Sequence, residues 1–414
     1  MSHIDLRALL DLVGGSSPVE AIDVMADRLA VMLGADAVYF LITDLSGRAV
    51  ARFGGTDANA AREREQGAEN VPTVELPGTV YEQVLRSQEA DLSPRADGSG
   101  DGGNGDGARL IVPVTDRGDT IGVLELELPW YPDAESVREI ADAARTLAYV
   151  VVACRRHTDL FEWAQRSMPF SLAAEIQRRL LPGAFTCEAG RFTVAGWLEP
   201  ANAVGGDTFD YALDRDQLHV SITDAVGHDV HAALLATVLV GSLRNSRRSD
   251  VGLAEQAAIA NDALAAHSPV GDFVTGQLVR VDLASAEMAI VNAGHPFPLR
   301  VRNGRVEEIE LAIEMPFGIE PGRAFTVQRI TLEPGDRIVL VTDGMLERNA
   351  EDLDVEATLA RTAALHPREV VYVLGEAVLH ATEQNLRDDA TVVCLDWNGG
   401  PVTGSDGTPV ARPF

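Results

Sequence analysis

Apolar and polar positions alternate along this chain in short segments, and their spacing changes character about midway. Near the N-terminus, Ser17, Pro18 and Glu20 read as a helix start: a capping serine, proline at the first helical position and a glutamate reaching back. Ala21 to Leu33 then continue at helical spacing. The run AVYFLIT (37–43), the turn Asp44-Leu45-Ser46-Gly47 and the run RAVARF (48–53) predict a hairpin. A helix follows near 79–87, and RLIVPV (109–114) with TIGVLELEL (120–128) flank the turn TDRGD as a second hairpin. Before that hairpin lies DGSGDGGNGDG (97–107), whose Asp97, Ser99, Asp101 and Gly102 match the opening of a calcium loop. Its twelfth position is Ala108 rather than a bidentate glutamate, and no helices flank it, so a flexible insertion is the better reading.

From Pro132 to Phe161, Val137, Ile140, Ala144, Leu147, Val151, Cys154, Thr158 and Phe161 recur at alternating three- and four-residue steps. That is the spacing of a coiled-coil seam, and it predicts a parallel homodimer. Pro169 breaks the pattern, and a second helix, LAAEIQRRLLP (172–182), leads into the rest of the chain. From Arg191 onward β-patterned segments dominate: RFTVAGWL, QLHVSIT, DFVTGQLVRVDL, EMAIVNAG, FPLRVRN, RVEEIEL, RIVLVT and ATVVCLDW. Helical segments at 229–246, 254–267, 351–363 and 367–384 interrupt them in pairs. Such an order requires sheets packed on each other with helices outside, an α+β fold.

At 414 residues the chain exceeds what one hydrophobic core organises, so two domains and a connector are expected. No apolar run approaches the roughly 18 residues needed to span a bilayer, and the stretch before the first apolar run carries Asp5 and no basic region. No membrane partner, no secretory signal and a cytoplasmic location are therefore expected. Three scattered cysteines (Cys154, Cys187, Cys394) argue against a disulfide framework. A net charge of −29 opposes nucleic-acid partners. All 34 basic residues are arginine, which excludes Walker-type, kinase-type and Schiff-base lysine chemistry.

Four places set an aspartate at a strand end or a turn, three of them beside glycine or another aspartate: Gly205-Gly206-Asp207, Thr223-Asp224-Ala225, Thr342-Asp343-Gly344 and Asp388-Asp389-Ala390. Carboxylate oxygens without clustered Cys or His favour hard divalent ions. Any one of these aspartates alone reads as a turn residue. In combination, VGGDxFD, DxxGHxxxAAL, NAGHPxP, LxPGDRIVLVTDGxxE and DDATVV, in this order over about 172–398, resemble the SpoIIE-type branch of the metal-dependent protein phosphatases, the PPM superfamily.

That resemblance implies a β-sandwich flanked by helices with two Mn²⁺ or Mg²⁺ ions at one end. Carried onto this chain, Asp207 serves the first metal, Asp224 bridges both, the Ala225 carbonyl completes the first site, and Asp343 and Asp388 hold the second. Asp389 is the alternative to Asp388, Asp210 stands behind the ligands, and His228 either stands there too, orienting its loop, or protonates the leaving serine oxygen. His295 reads as a loop anchor, and a zinc pair of His228 with His231 is disfavoured. Asp229 stands where relatives commonly have glycine, a change compatible with a helix start. Two ions about 4 Å apart can activate a water for in-line attack at phosphorus. The implied activity is hydrolysis of phosphoserine or phosphothreonine on a protein, with a small anti-anti-sigma type regulator as the implied partner. A catalytically silent binding module is the alternative, and a nuclease is weakened by the acidic charge.

The N-terminal order helix, hairpin, helix, hairpin, helix resembles a GAF domain, a sensor whose ligand the pattern does not identify. The expected organisation is a GAF-like sensor (1–132), a helical linker (133–182), a phosphatase domain (183–398) and a disordered tail (399–414). In relatives the helix that here carries Glu175 and Gln177 is thought to act as a regulatory switch.

Overall fold

Both expected N-terminal hairpins form, and they join edge to edge in one sheet. The computed structural model describes residues 4–56, 73–95, 107–166, 171–201, 205–227, 229–249, 251–267, 271–346, 353–383 and 385–399. The insertion at 97–106, Pro169, Val204, His228 and the tail beyond Gly399 lie outside the described residues. The chain divides into two units, Met1–Pro169 and Phe170–Pro413.

In the N-terminal unit, β1 (Ala37–Thr43), β2 (Ala49–Gly55), β3 (Thr73–Glu75), β4 (Asp91–Pro94), β5 (Ala108–Asp116) and β6 (Asp119–Leu128) form an antiparallel sheet ordered β3-β2-β1-β6-β5-β4. Successive side chains point to opposite faces, and both faces are covered. Val38, Phe40, Ile42, Phe53, Leu110, Val112, Leu124 and Leu126 pack with α1 (Leu6–Gly14), α2 (Ala21–Leu33), α4 (Ala134–Cys154) and α5 (Leu160–Ala164). Leu41, Val50, Ile111 and Val123 pack with Val84 and Leu85 of α3 (Val80–Ser87). The α2 helix begins later than the capping box predicts: the Ser17 carbonyl accepts from the Glu20 amide in a turn, and Glu20 caps without a side-chain bond.

The stripe expected to form a dimer seam lies inside this unit. Ile140, Ala144, Leu147, Val151 and Cys154 are buried in its core with α1, α2 and the sheet, and Leu147 is 2% exposed. A coiled-coil seam and a helix packed on its own sheet share the same three-four spacing, so the pattern alone does not separate them. The burial corrects the seam reading and removes its basis for a dimer.

The second unit holds two sheets. One contains β9 (Asp207–Leu213), β10 (Gln217–Ala225), β11 (Val274–Asp282), β12 (Glu287–Ala293) and β15 (Gln328–Thr331), ordered β15-β12-β11-β10-β9. The other contains β7 (Thr186–Glu188), β8 (Phe192–Glu199), β13 (Leu299–Arg302), β14 (Arg305–Glu308), β16 (Asp336–Val341) and β17 (Ala390–Trp397), ordered β14-β13-β16-β17-β8-β7. Their inner faces share one core, in which Phe209, Val220, Ile222, Val279 and Ile290 meet Phe192, Val194, Ile338, Leu340, Val393 and Leu395. Outside the first sheet pack α7 (Val230–Arg247) and α8 (Leu253–His267). Outside the second pack α9 (Val355–Arg361) and α10 (Pro367–Ala381). The short helix α6 (Leu172–Leu180) runs against α7 and β9.

Candidate metal centre

Strand alternation decides which aspartates face one another. Leu218, Val220 and Ile222 of β10 point into the inter-sheet core, so Asp224, two residues further along, lies on the same inner face at the strand's end. Asp207 opens β9 directly opposite Asp224 in the antiparallel register. From the facing sheet, Thr342 follows β16 and Thr391 lies in β17, and both hydroxyls donate to Asp207 Oδ2, at 2.7 and 2.6 Å. Asp343 begins a single 3₁₀ turn (Asp343–Met345) and is exposed. Asp388 and Asp389 immediately precede β17. The structure thus gathers Asp207, Asp224, Asp343, Asp388 and Asp389 at one end of the two sheets.

The adjacent aspartates differ in surroundings. Asp389 is buried; its Oδ1 accepts from the Ala201 amide at 2.8 Å and its Oδ2 from Gln177 Nε2 at 2.7 Å. Asp388 is half-buried, and its Oδ1 accepts the Asp389 amide at 2.9 Å. The loop ahead of β9 passes very close to these groups. A Cβ on Gly205 would sit 1.7 Å from Asp389 Oδ2, and one on Gly206 would sit 2.2 Å from the Ala225 carbonyl oxygen, so no larger residue fits.

Burial and mutual repulsion drive these carboxyls toward the protonated form. Burial, then Asp224 and Asp389, raise Asp207 well above the usual carboxylate range, against the two threonine hydroxyls that favour its charge. Burial, then Asp343, Asp388 and Asp389, raise Asp224 to about 7. Burial chiefly raises Asp389 to about 6. None of these three has an arginine or histidine ion-pair partner among the described residues. Buried carboxylates without a counter-charge are costly, and oxygen-only donors suit a hard divalent cation, so the residue set fits Mg²⁺ or Mn²⁺. Among the described residues, no three His, Cys, Asp or Glu side chains are drawn into a ready-made ligand cluster.

Other expected residues fall elsewhere. Asp210 lies three residues from Asp207, an odd offset that turns it to the outer face, where Arg244 (3.0 Å) and Arg247 (3.2 Å) engage it. It therefore does not stand behind the ligands. Asp229 is the N-cap of α7, accepting the His231 amide at 2.8 Å, and His231 Nε2 meets Asp272 at 2.6 Å. Gln177 of α6 reaches the centre, donating to the Asp207 carbonyl (2.8 Å) as well as to Asp389, while Glu175 pairs with Arg179 on its own helix (3.1 Å). Thr342 and Thr391 were legible only as neighbours of the aspartates in VTDG and DDATV.

Residues 214–398 match the family model described as Stage II sporulation protein E (SpoIIE). The chain is 21% identical over 231 residues to the phosphoserine phosphatase RsbU of Bacillus subtilis (strain 168), covering 54% of this chain and 68% of that protein. It is 23% identical over 202 residues to protein IcfG of Synechocystis sp. (strain ATCC 27184 / PCC 6803 / Kazusa), covering 42% of this chain and only 32% of that protein. Among solved structures, the RsbU and RsbW domains of Rv1364c from Mycobacterium tuberculosis align at 25% identity with a TM-score of 0.45, over 54% of this chain and 63% of that one.

Proposed function

We propose that the chain is a metal-dependent serine/threonine protein phosphatase of the SpoIIE type, and that its residues divide the work between metal binding and bracing. Asp207, Asp224 with the Ala225 carbonyl, Asp343 and Asp388 would hold two divalent ions. When bound, such ions supply an activated water and neutralise the phosphate oxygens. The observation that carries this reading is the meeting of uncompensated carboxylates from two facing sheets at one end of their shared core. Thr342 and Thr391 fix the Asp207 carboxylate, and Asp389, held by Ala201 and Gln177, braces the β9 loop. That bracing leaves Asp388 as the better ligand of the adjacent pair.

The substrate we propose is a phosphoserine or phosphothreonine on a small regulatory protein of the anti-anti-sigma type, by analogy with the phosphoserine phosphatase RsbU. The N-terminal unit, with its two-faced six-stranded sheet, would serve as a GAF-like sensor. Gln177 gives α6 a direct hold on Asp207 and Asp389, which supports a regulatory part for this helix. Hydrolysis of an aryl phosphate by the full chain tests the chemistry. Turnover should require added Mn²⁺ or Mg²⁺ and vanish with a chelator, whereas full activity in excess EDTA would sink the two-metal reading.

A further inference from the structure

A groove of about 400 Å³ opens in the second unit beside the turn that carries Asp343. Its floor is apolar. Leu299 of β13, Val341 at the end of β16 and Val355 at the start of α9 are buried there, with Phe297 partly so. Leu346 forms one wall: its amide closes the 3₁₀ turn by donating to the Asp343 carbonyl at 2.8 Å, yet the residue is 54% exposed.

Three carboxylates stand on the rim: Glu308 at the end of β14, Asp354 at the N-cap of α9 and Glu356 in the first turn of that helix. All three are exposed, and none has an arginine or histidine ion-pair partner among the described residues. Helix formation accounts for two of them. Asp354 Oδ1 accepts the Ala357 amide at 2.8 Å, and an acid in the first turn suits Glu356. It does not account for Glu308, which comes from a separate strand and stands directly across from Leu299 in the β13–β14 register.

An apolar floor below an unpaired acidic rim is complementary to a long basic side chain, whose methylene stem covers apolar surface while its charged head meets carboxylates. The same carboxylates repel a phosphate, so the groove is not where the phosphoryl group itself sits. From Asp343 to Leu346 the 3₁₀ turn advances about 6 Å, and an extended peptide advances about 3.3 Å per residue. A side chain in the groove therefore belongs to a residue about two to four positions from the one being dephosphorylated.

We propose that this groove is a specificity subsite for an arginine or lysine of the substrate protein, placed about two to four residues from the phosphoserine or phosphothreonine. This rests on the phosphoprotein phosphatase reading above. The full chain with saturating Mn²⁺ is assayed on an aryl phosphate and on phosphoserine peptides that carry arginine, or its neutral isostere citrulline, at each position flanking the phosphoserine in turn. Dividing the peptide kcat/KM by the aryl phosphate kcat/KM of the same protein cancels any change at the centre. Arginine should exceed citrulline by about fivefold or more at one or two positions at low salt, because a single exposed ion pair contributes modestly and three carboxylates act together. Glu308→Gln combined with Glu356→Gln should remove that preference, and Glu308→Arg should reverse it, favouring glutamate over glutamine at the same position. An arginine preference retained in the double variant or in Glu308→Arg would overturn the subsite. So would equal rates for arginine and citrulline at every position, or turnover of the aryl phosphate with none of any peptide. No turnover of either kind of substrate with Mn²⁺ would instead overturn the phosphatase reading, and the subsite with it.

Discussion

At the scale of single residues, the raised carboxyls make the centre costly when charged, a cost that a proton or a bound cation relieves. Asp224, raised from 3.8 to about 7, binds its proton more tightly in the folded than in the unfolded chain. Its contribution to stability is therefore least unfavourable below about pH 4 and worsens as pH climbs through 7, the reverse of a salt-bridged aspartate. Metal-free protein should lose melting temperature between about pH 4 and pH 7, Mn²⁺ should restore it at pH 8, and Asp224→Asn should make the profile shallower. An equal pH dependence in the variant would contradict this. The same substitution should cost more than about tenfold in turnover, or about 1.4 kcal/mol of barrier. Four of the motif aspartates were legible because each stands at a strand end or turn in a recognisable order. Asp210 was misplaced because motif spacing ignores the two-residue alternation that turns it toward Arg244 and Arg247. The proposed preference for Asp388 over Asp389 rests on the bonds of Asp389 to Ala201 and Gln177, which no local pattern ties to that position.

At the scale of elements, hydrophobic periodicity located most strands and helices within a few residues, yet missed β9, the strand that carries Asp207. Its sequence, DTFDYAL, mixes two aspartates into four fully buried positions, so its inner face does not read as apolar. The α4 stripe was found but given the wrong partner. Leu147→Asp should accordingly place an unpaired charge in the N-terminal core and unfold that unit, since such a group costs several kcal/mol. Hydrogen exchange would show lost protection in the β1, β6 and α2 segments. A folded variant that merely changed from dimer to monomer would restore the seam. For α6, Gln177→Leu removes two hydrogen bonds and strands the Asp207 carbonyl and an Asp389 oxygen, worth about 1–3 kcal/mol per group. Turnover at saturating Mn²⁺ should fall while circular dichroism is unchanged. Unaltered turnover would remove α6 from the account of the centre.

At the scale of the whole molecule, a chain with a net charge of −29 and no lysine concentrates buried carboxylates at one end of two facing sheets. Among the described residues, no helix is long and apolar enough to cross a membrane. That sheets pack on each other with helices outside followed from the order of segments; which strands pair, and which face one another across the core, did not, because long-range pairing leaves no mark on local spacing. The central claim is that carboxylates from both sheets jointly hold two ions that the phosphatase reaction requires. Native mass spectrometry of the full chain, with aryl phosphate turnover measured on the same preparation, tests it most directly. The account predicts two Mn²⁺ per active chain, loss of at least one in Asp224→Asn and in Asp343→Asn, and loss of turnover in step with metal. A chain that turns over at full rate with no bound metal, or that keeps both ions and its rate in either variant, would contradict it.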